Sequence, residues 1–227
     1  DVALYAGWLC LPWVLKPLWS PFIDILKTKR WWILTMQMLI GGALAGIAFT
    51  LPTAFWFQGT MFFFFSMAFA SATHDIAADG YYMLMLDEHN QTKYVGLRNT
   101  FYRLAVVFVN AGLAKLADKL ENYFHMSVVY TWTLVFYGLA GLFICIWLYH
   151  SRVMPRSDED VATQKKASDI ARELKSMFIT FFSKFELKDT IFAMVFLLLY
   201  RFPEALLNTM TKTFLMRPST EGGLGLT

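Results

Sequence analysis

The chain has 227 residues, of which 57% are apolar, 18% aromatic and only 16% charged, and its mean hydropathy is +0.45. Soluble domains hold about 45–50% apolar and about 25% charged residues, so this composition excludes a single soluble core, a disordered chain and a coiled coil. The formal net charge is only +3, and Cys10 and Cys145 both lie in apolar runs, offering neither a disulfide framework nor a thiolate zinc site.

The apolar residues come in long blocks, and a membrane-spanning helix needs roughly 20 of them. Six blocks qualify: residues 5–26, 31–51, 55–86, 95–117, 128–149 and 190–214. The first carries Pro12, Pro17 and Pro21, which predict a bent helix; membranes tolerate such prolines because neighbouring helices re-satisfy the freed backbone groups. It is too long for a cleaved signal peptide, and no basic residues precede it. The second carries Gly42 and Gly46, and the fifth Gly138, Ala140 and Gly141, small residues that let backbones approach. The third is long enough to span with its ends outside the bilayer. No block shows sustained period-two alternation, which argues against a transmembrane barrel. The fold class read from this pattern is all-α, a polytopic bundle of transmembrane helices.

The basic residues divide unevenly between the connections. Lys27, Lys29 and Arg30 follow the first block, Lys93 and Arg98 the third, and Arg152, Arg156, Lys165, Lys166, Arg172, Lys175, Lys184 and Lys188 the fifth. The alternate connections, at 52–54 and 118–126, hold only Lys119, with Lys115 close by. An excess of Lys and Arg marks the cytoplasmic side, so the first block runs from outside to inside. The chain lacks an initiator Met and ends at Gly225-Leu226-Thr227, and we expect it to be a fragment missing at least one helix upstream.

Between the fifth and sixth blocks, Ile170, Leu174, Met177, Phe178, Phe181, Phe182 and Phe185 recur at helical spacing among basic residues. This predicts an amphipathic helix, either on the inner membrane surface or against the ends of the bundle. The expected organisation is a bundle over 1–150, a cytoplasmic connector over 151–189 and a further span within 190–227.

Charged side chains inside spanning helices are costly and usually face a cavity. Six stand out: Lys16, Asp75, Asp79, Arg103, Arg201 and Glu204. At 1.5 Å per residue, Asp79 lies about 10 Å from the cytoplasmic end of its block, with Asp75 about 6 Å deeper. Lys16 and Arg103 each lie about 12 Å in. Asp75 and Asp79 share one helical face, and two close carboxylates resist joint ionisation, so the pair can bind and release a proton, with His74 beside it. The alternative is an ion-pair network joining three helices through Lys16 and Arg103. Arg201 and Glu204 flank Pro203 and can pair with each other, or Arg201 can clamp a carboxylate. His74, Asp75 and Asp79 on one helix make a poor metal cage. With no phosphate-binding loop, no metal, cofactor or nucleic acid is expected, and with no paired nucleophile an intramembrane enzyme using His74, Asp75 and Asp79 is the least favoured alternative to a transporter.

Several stretches resemble a known family. Ser20-Pro21-Phe22-Ile23-Asp24, followed by Lys29-Arg30, resembles the gating loop between helices two and three of the major facilitator superfamily, with Ser20 at that motif's Gly position and Ile25 at its basic one. Within that superfamily the chain is similar to the AmpG-type muropeptide permeases. The similarity is carried by Lys16-Pro17-Leu18-Trp19-Ser20-Pro21, by Ser71-Ala72-Thr73-His74-Asp75-Ile76-Ala77-Ala78-Asp79, where His74 replaces a Gln, and by Tyr102-Arg103-Leu104. Leu199-Tyr200-Arg201-Phe202-Pro203-Glu204-Ala205 and Thr211-Lys212-Thr213-Phe214-Leu215 extend it to the last block.

The resemblance implies six of twelve helices, numbers two to seven, of a secondary transporter in the bacterial inner membrane. It implies import of anhydro-muropeptides with protons for peptidoglycan recycling, a sugar or nucleotide-linked solute being the nearest alternative. Asp75, Asp79 and His74 become candidates for proton coupling. Lys16, Arg103, Arg201 and Glu204 become substrate contacts or ion-pair partners, and Asp24, Lys29 and Arg30 the gating motif.

Overall fold

The computed structural model describes residues 2–161 continuously and scattered positions between 172 and 224. Residues Asp1–Ile170 form one compact unit and Ala171–Thr227 a second. The first is built from α1 (Val2–Leu9), α2 (Leu11–Leu26), α3 (Lys29–Thr50), α4 (Trp56–Met85), α5 (Glu88–Val107), α6 (Leu113–Phe124) and α7 (Val128–Val153). Among the described residues there is no strand. Of the second unit the structure gives helical backbone at isolated positions, with the rings of Phe196 and Tyr200 stacked 6.3 Å apart. Most of the predicted amphipathic helix and sixth span, including Arg201 and Glu204, lies outside the described residues, as does the side chain of Asp24.

The first predicted span is divided at Cys10 into α1 and α2. Pro12, Pro17 and Pro21 each lack the N–H that would complete a helical hydrogen bond. The turn between α2 and α3 is short because α3 is capped at once: the Thr28 hydroxyl accepts from the Trp31 N–H at 3.2 Å.

α3 is the central helix, packed between α4 and α7. Met36, Ile40 and Leu44, one turn apart, form a core with Ala70 of α4 and Ala140 of α7. Nearer the start of α3, Ile33 packs with Ile23 of α2 and Ala77 of α4. The ring of Phe63 lies directly on Gly46, where any Cβ would overlap it. Gly41 meets Phe143 of α7, on which a Cβ would close to 3.3 Å. The small residues thus allow close helix approach, but not all of them do so. Gly42 opens onto a groove of about 890 Å³ between Trp31, Met38, Phe62 and Trp147, and Gly138 and Gly141 have open space beside them.

The fourth predicted span is longer than its apolar stretch. Helix runs without a break from Glu88 to Phe124, 37 residues, so the segment 118–126 expected as a connection is mostly helical. At 1.5 Å per residue this is about 55 Å, well beyond a hydrocarbon core of about 30 Å, so its polar ends project. Asp87 starts it by accepting from Asn90 N–H at 3.3 Å and Asn90 Nδ2 at 2.6 Å. A π turn at Phe108–Gly112 joins α5 to α6. The helix stops at His125, whose φ of 51° is left-handed, with Met126 N–H on the Leu120 carbonyl at 3.4 Å. None of the α5 side chains is buried in the bundle.

Among the described residues, four helices are long and apolar enough to cross a membrane: Lys29–Thr50, Trp56–Met85, Glu88–Phe124 and Val128–Val153.

Candidate functional site

The start of α3 and the ends of α2, α4 and α7 meet at one end of the unit, and the ionisable side chains gather toward it. The Lys16 ammonium of α2 pairs with Asp75 of α4, and Arg98 of α5 pairs with Asp79 of α4. Arg98 also stands 3.9 Å from Asp75. The result is a chain of alternating charge, Lys16, Asp75, Arg98, Asp79, that joins three helices and balances its own charge. Its carboxylates are 35% and 45% exposed, so the chain lines an opening rather than a sealed core. The Lys16 ammonium sits 3.8 Å from the centre of the Trp13 ring, and Arg98 lies 5.7 Å over Tyr82.

Arg98 replaces Arg103 as the basic member from this helix. The two are five residues apart, about 140° around the helix, so only one can face α4. Arg103 is exposed and has no carboxylate partner among the described residues. Depth is legible in the sequence but rotation is not: Asp75 and Arg98 lie equally far from the turn at Leu86 and Asp87, so a helical hairpin places them level, but which face α5 turns to α4 depends on its docking.

His74 faces away from this chain, into the contact of α3, α4 and α7. The buried Gln37 amide donates from Nε2 to His74 Nε2 at 3.2 Å and to His150 Nδ1 of α7 at 2.8 Å. Neither Gln37 nor His150 stands out in the sequence, because a lone amide and a histidine near a helix end are both unremarkable by composition.

Lys29 and Arg30, expected from the resemblance to belong to a gating motif, form a third cluster with Asp160, which does not stand out in the sequence. Asp160, only 9% exposed, accepts from the Lys29 N–H at 2.7 Å and the Arg30 N–H at 3.0 Å. It caps α3 together with Thr28 and meets the positive end of the helix dipole. Arg30 donates to the carbonyls of Met154 at 3.2 Å and Ser151 at 2.8 Å. Tyr81 donates to the Pro155 carbonyl at 2.8 Å. The segment after α7 is therefore fastened to α3 and α4. Gly80, without a side chain, leaves room for the Lys29 stem. Lys29, Asp79 and Ser20 line a cavity of about 490 Å³.

A larger cavity, about 690 Å³, is lined in part by Trp13. Its wall includes Phe64, Trp132 and Phe136, with Ser71 of α4 and Asn110 of the π turn as its polar members. Ser71 is one turn before Asp75, so the cavity and the charged chain adjoin along one face of α4.

The sequence is similar to that of an uncharacterized protein of Haemophilus influenzae, with 28% identity over 220 residues covering 90% of this chain and 46% of that protein. The chain thus spans less than half the length of the curated relative it matches. No solved structure matches the chain. The family model of the Major Facilitator Superfamily matches residues 3–225. With four helices among the described residues fit to cross a membrane and a family model matching nearly the whole chain, the chain is a multi-pass membrane chain and belongs to the Major Facilitator Superfamily.

Proposed function

We propose that this chain is part of a proton-coupled secondary transporter that imports anhydro-muropeptides across the bacterial inner membrane for cell-wall recycling. In this reading the chain supplies helices two to seven of twelve, 152–188 connects the two halves and helix seven begins near residue 190. The observation that carries the proton-coupled part is the chain Lys16, Asp75, Arg98, Asp79 on three helices. Protonation of Asp75 frees Lys16, and protonation of Asp79 leaves Arg98 with only its longer contact to Asp75. Each release loosens a contact between helices, which is what a rocking carrier requires of its coupling ion. The muropeptide part rests on the resemblance of the blocks around Lys16, Asp75 and Arg201. The aromatic cavity lined by Trp13 supports a bulky solute; by the resemblance, Arg201 and Glu204 are substrate contacts or ion-pair partners.

The test is uptake of labelled anhydro-muropeptide by the full-length protein in vesicles, with and without a proton gradient. Gradient-driven uptake is expected. No uptake under any gradient overturns the substrate, and a sugar or nucleotide-linked solute becomes the next assay. Uptake that ignores the gradient overturns the coupling alone. Asp75→Asn and Asp79→Asn are each expected to abolish gradient-driven uptake in a protein that still folds; normal transport by both would reduce the chain to a structural network.

A further inference from the structure

We propose that His74, Gln37 and His150 form a second proton site, a clasp in which two imidazoles share one proton uptake through a buried amide and so reverse both hydrogen bonds that tie α4 and α7 to α3. As a station for the coupled proton it rests on the proton-driven reading above. As a titrating cluster it stands apart from that reading.

The geometry fixes the resting state. An amide nitrogen only donates, so both facing ring nitrogens, Nε2 of His74 and Nδ1 of His150, present lone pairs. Each neutral ring then carries its proton on the far nitrogen. The Gln37 Oε1 atom is buried with no partner among the described residues. When a proton binds the near nitrogen of His150, that nitrogen becomes a donor and faces a donor. The amide resolves the conflict by turning over, so that Oε1 accepts from His150 Nδ1–H. The same rotation presents Oε1 to His74, which keeps its bond by taking a proton from water on Nε2 and returning the one on Nδ1 to water, so that two protons enter, one leaves, and His150 ends as the cation. One proton is taken up in all, and both bonds change sense together. Either orientation leaves half of the amide unpartnered, so neither holds the amide permanently.

The surroundings favour such a site. On α4 the next residue is Asp75, itself held by Lys16 of α2 and 3.9 Å from Arg98 of α5. On α7 the Tyr149 ring lies 5.6 Å from His150. The carbonyl of Ser151 is held by Arg30 of α3 at 2.8 Å. The clasp therefore lies between the two other clusters, beside the charged chain at His74 and beside the α3 cap at His150. A reversal of its bonds acts on the contacts of α3, the helix on which α4 and α7 both pack.

The experiment is ring ¹⁵N NMR of the histidine-labelled full-length protein in lipid nanodiscs, from about pH 5 to 8, where imidazoles titrate. His74→Gln and His150→Gln assign the signals. The expected result is that both near nitrogens change from lone-pair to N–H character at one shared midpoint. Gln37→Met is expected to split this into two separate midpoints, and Gln37→Glu, which can only accept when ionised, to hold both near nitrogens in the N–H form at neutral pH. Separate midpoints in the unmodified protein, fixed tautomers throughout, or a shared midpoint that survives Gln37→Met would each overturn the clasp. The unmodified protein alone decides the first two outcomes, whether or not a variant folds. No substrate or gradient enters the measurement, so loss of the transport reading and loss of the clasp are separately visible.

Discussion

α3 and the long helix from Glu88 to Phe124 are both apolar enough to span a membrane, with mean hydropathies of 1.7 and 1.2 over their most apolar stretches. Yet 56% of that stretch is buried within the protein in α3 and 11% in the long helix. The difference lies in side-chain size. α3 carries Gly41, Ala43, Gly46 and Ala48 on the faces it turns to α4 and α7, so neighbouring backbones and rings come close. α5 carries Phe101, Tyr102, Val106 and Val107 outward and touches the rest chiefly through Arg98 and the Gln91 side chain, which donates to the Met83 and Leu86 carbonyls at 3.1 and 2.6 Å. α3 is held by packing along its length, whereas the α5 part of the long helix is held by polar contacts at one end and only the α6 part packs on α7. Hydropathy measures fitness for lipid, not fitness for a neighbour.

The largest expected effect tests the packed side. Ile47 is completely buried, and Ile47→Ala should cost about 2–5 kcal/mol of stability, whereas Val107→Ala on the exposed face of α5 should change it by less than about 0.5 kcal/mol. Thermal unfolding of the detergent-solubilised full-length protein measures both. Equal costs would erase the contrast.

The next effect tests the polar side. Arg98→Gln leaves Asp79 without its cation and should lower gradient-driven uptake at least about tenfold, the factor that 1.4 kcal/mol produces. Arg103→Gln, lacking an ion pair, should leave uptake within about twofold of the unmodified protein by the same conversion. The reverse ranking would restore Arg103 to the network. The smallest effect is expected at Asp160. Removing this cap with Asp160→Ala should cost about 0.5–2 kcal/mol and open the segment after α7 to limited proteolysis, while Asp160→Asn, which still accepts hydrogen bonds, should retain much of the protection. Identical cleavage of the alanine variant and the unmodified protein would show that the cap does not hold the segment.

Much of the architecture is legible in the chain because the relevant signal is local. The blocks at 31–51, 55–86 and 128–149 lie close to α3, α4 and α7, since a run of apolar side chains favours a spanning helix wherever the rest of the chain goes. The errors are local too. The prolines divide the first block at Cys10, and helical propensity carries the fourth block past Ala117 to Phe124, because a polar amphipathic turn continues a helix as readily as an apolar one. The charged residues were visible as a group, but not their pairing. Depth along the helix axis can be counted, whereas the rotation that turns Arg98 rather than Arg103 toward α4 depends on how α5 docks.

By itself the sequence determined an all-helical membrane chain, its principal spans, the uneven placement of its basic residues and the presence of Lys16, Asp75 and Asp79 in one slab. These follow from side-chain transfer and rise per residue, which act along the chain. Only the tertiary structure decided that Arg98 completes the ion chain, that Gln37 joins His74 to His150, and that Asp160 closes the start of α3. Each of these joins residues distant in sequence through hydrogen bonds a few ångströms long, and such contacts exist only once the packing of α3 against α4 and α7 has fixed which face each helix presents.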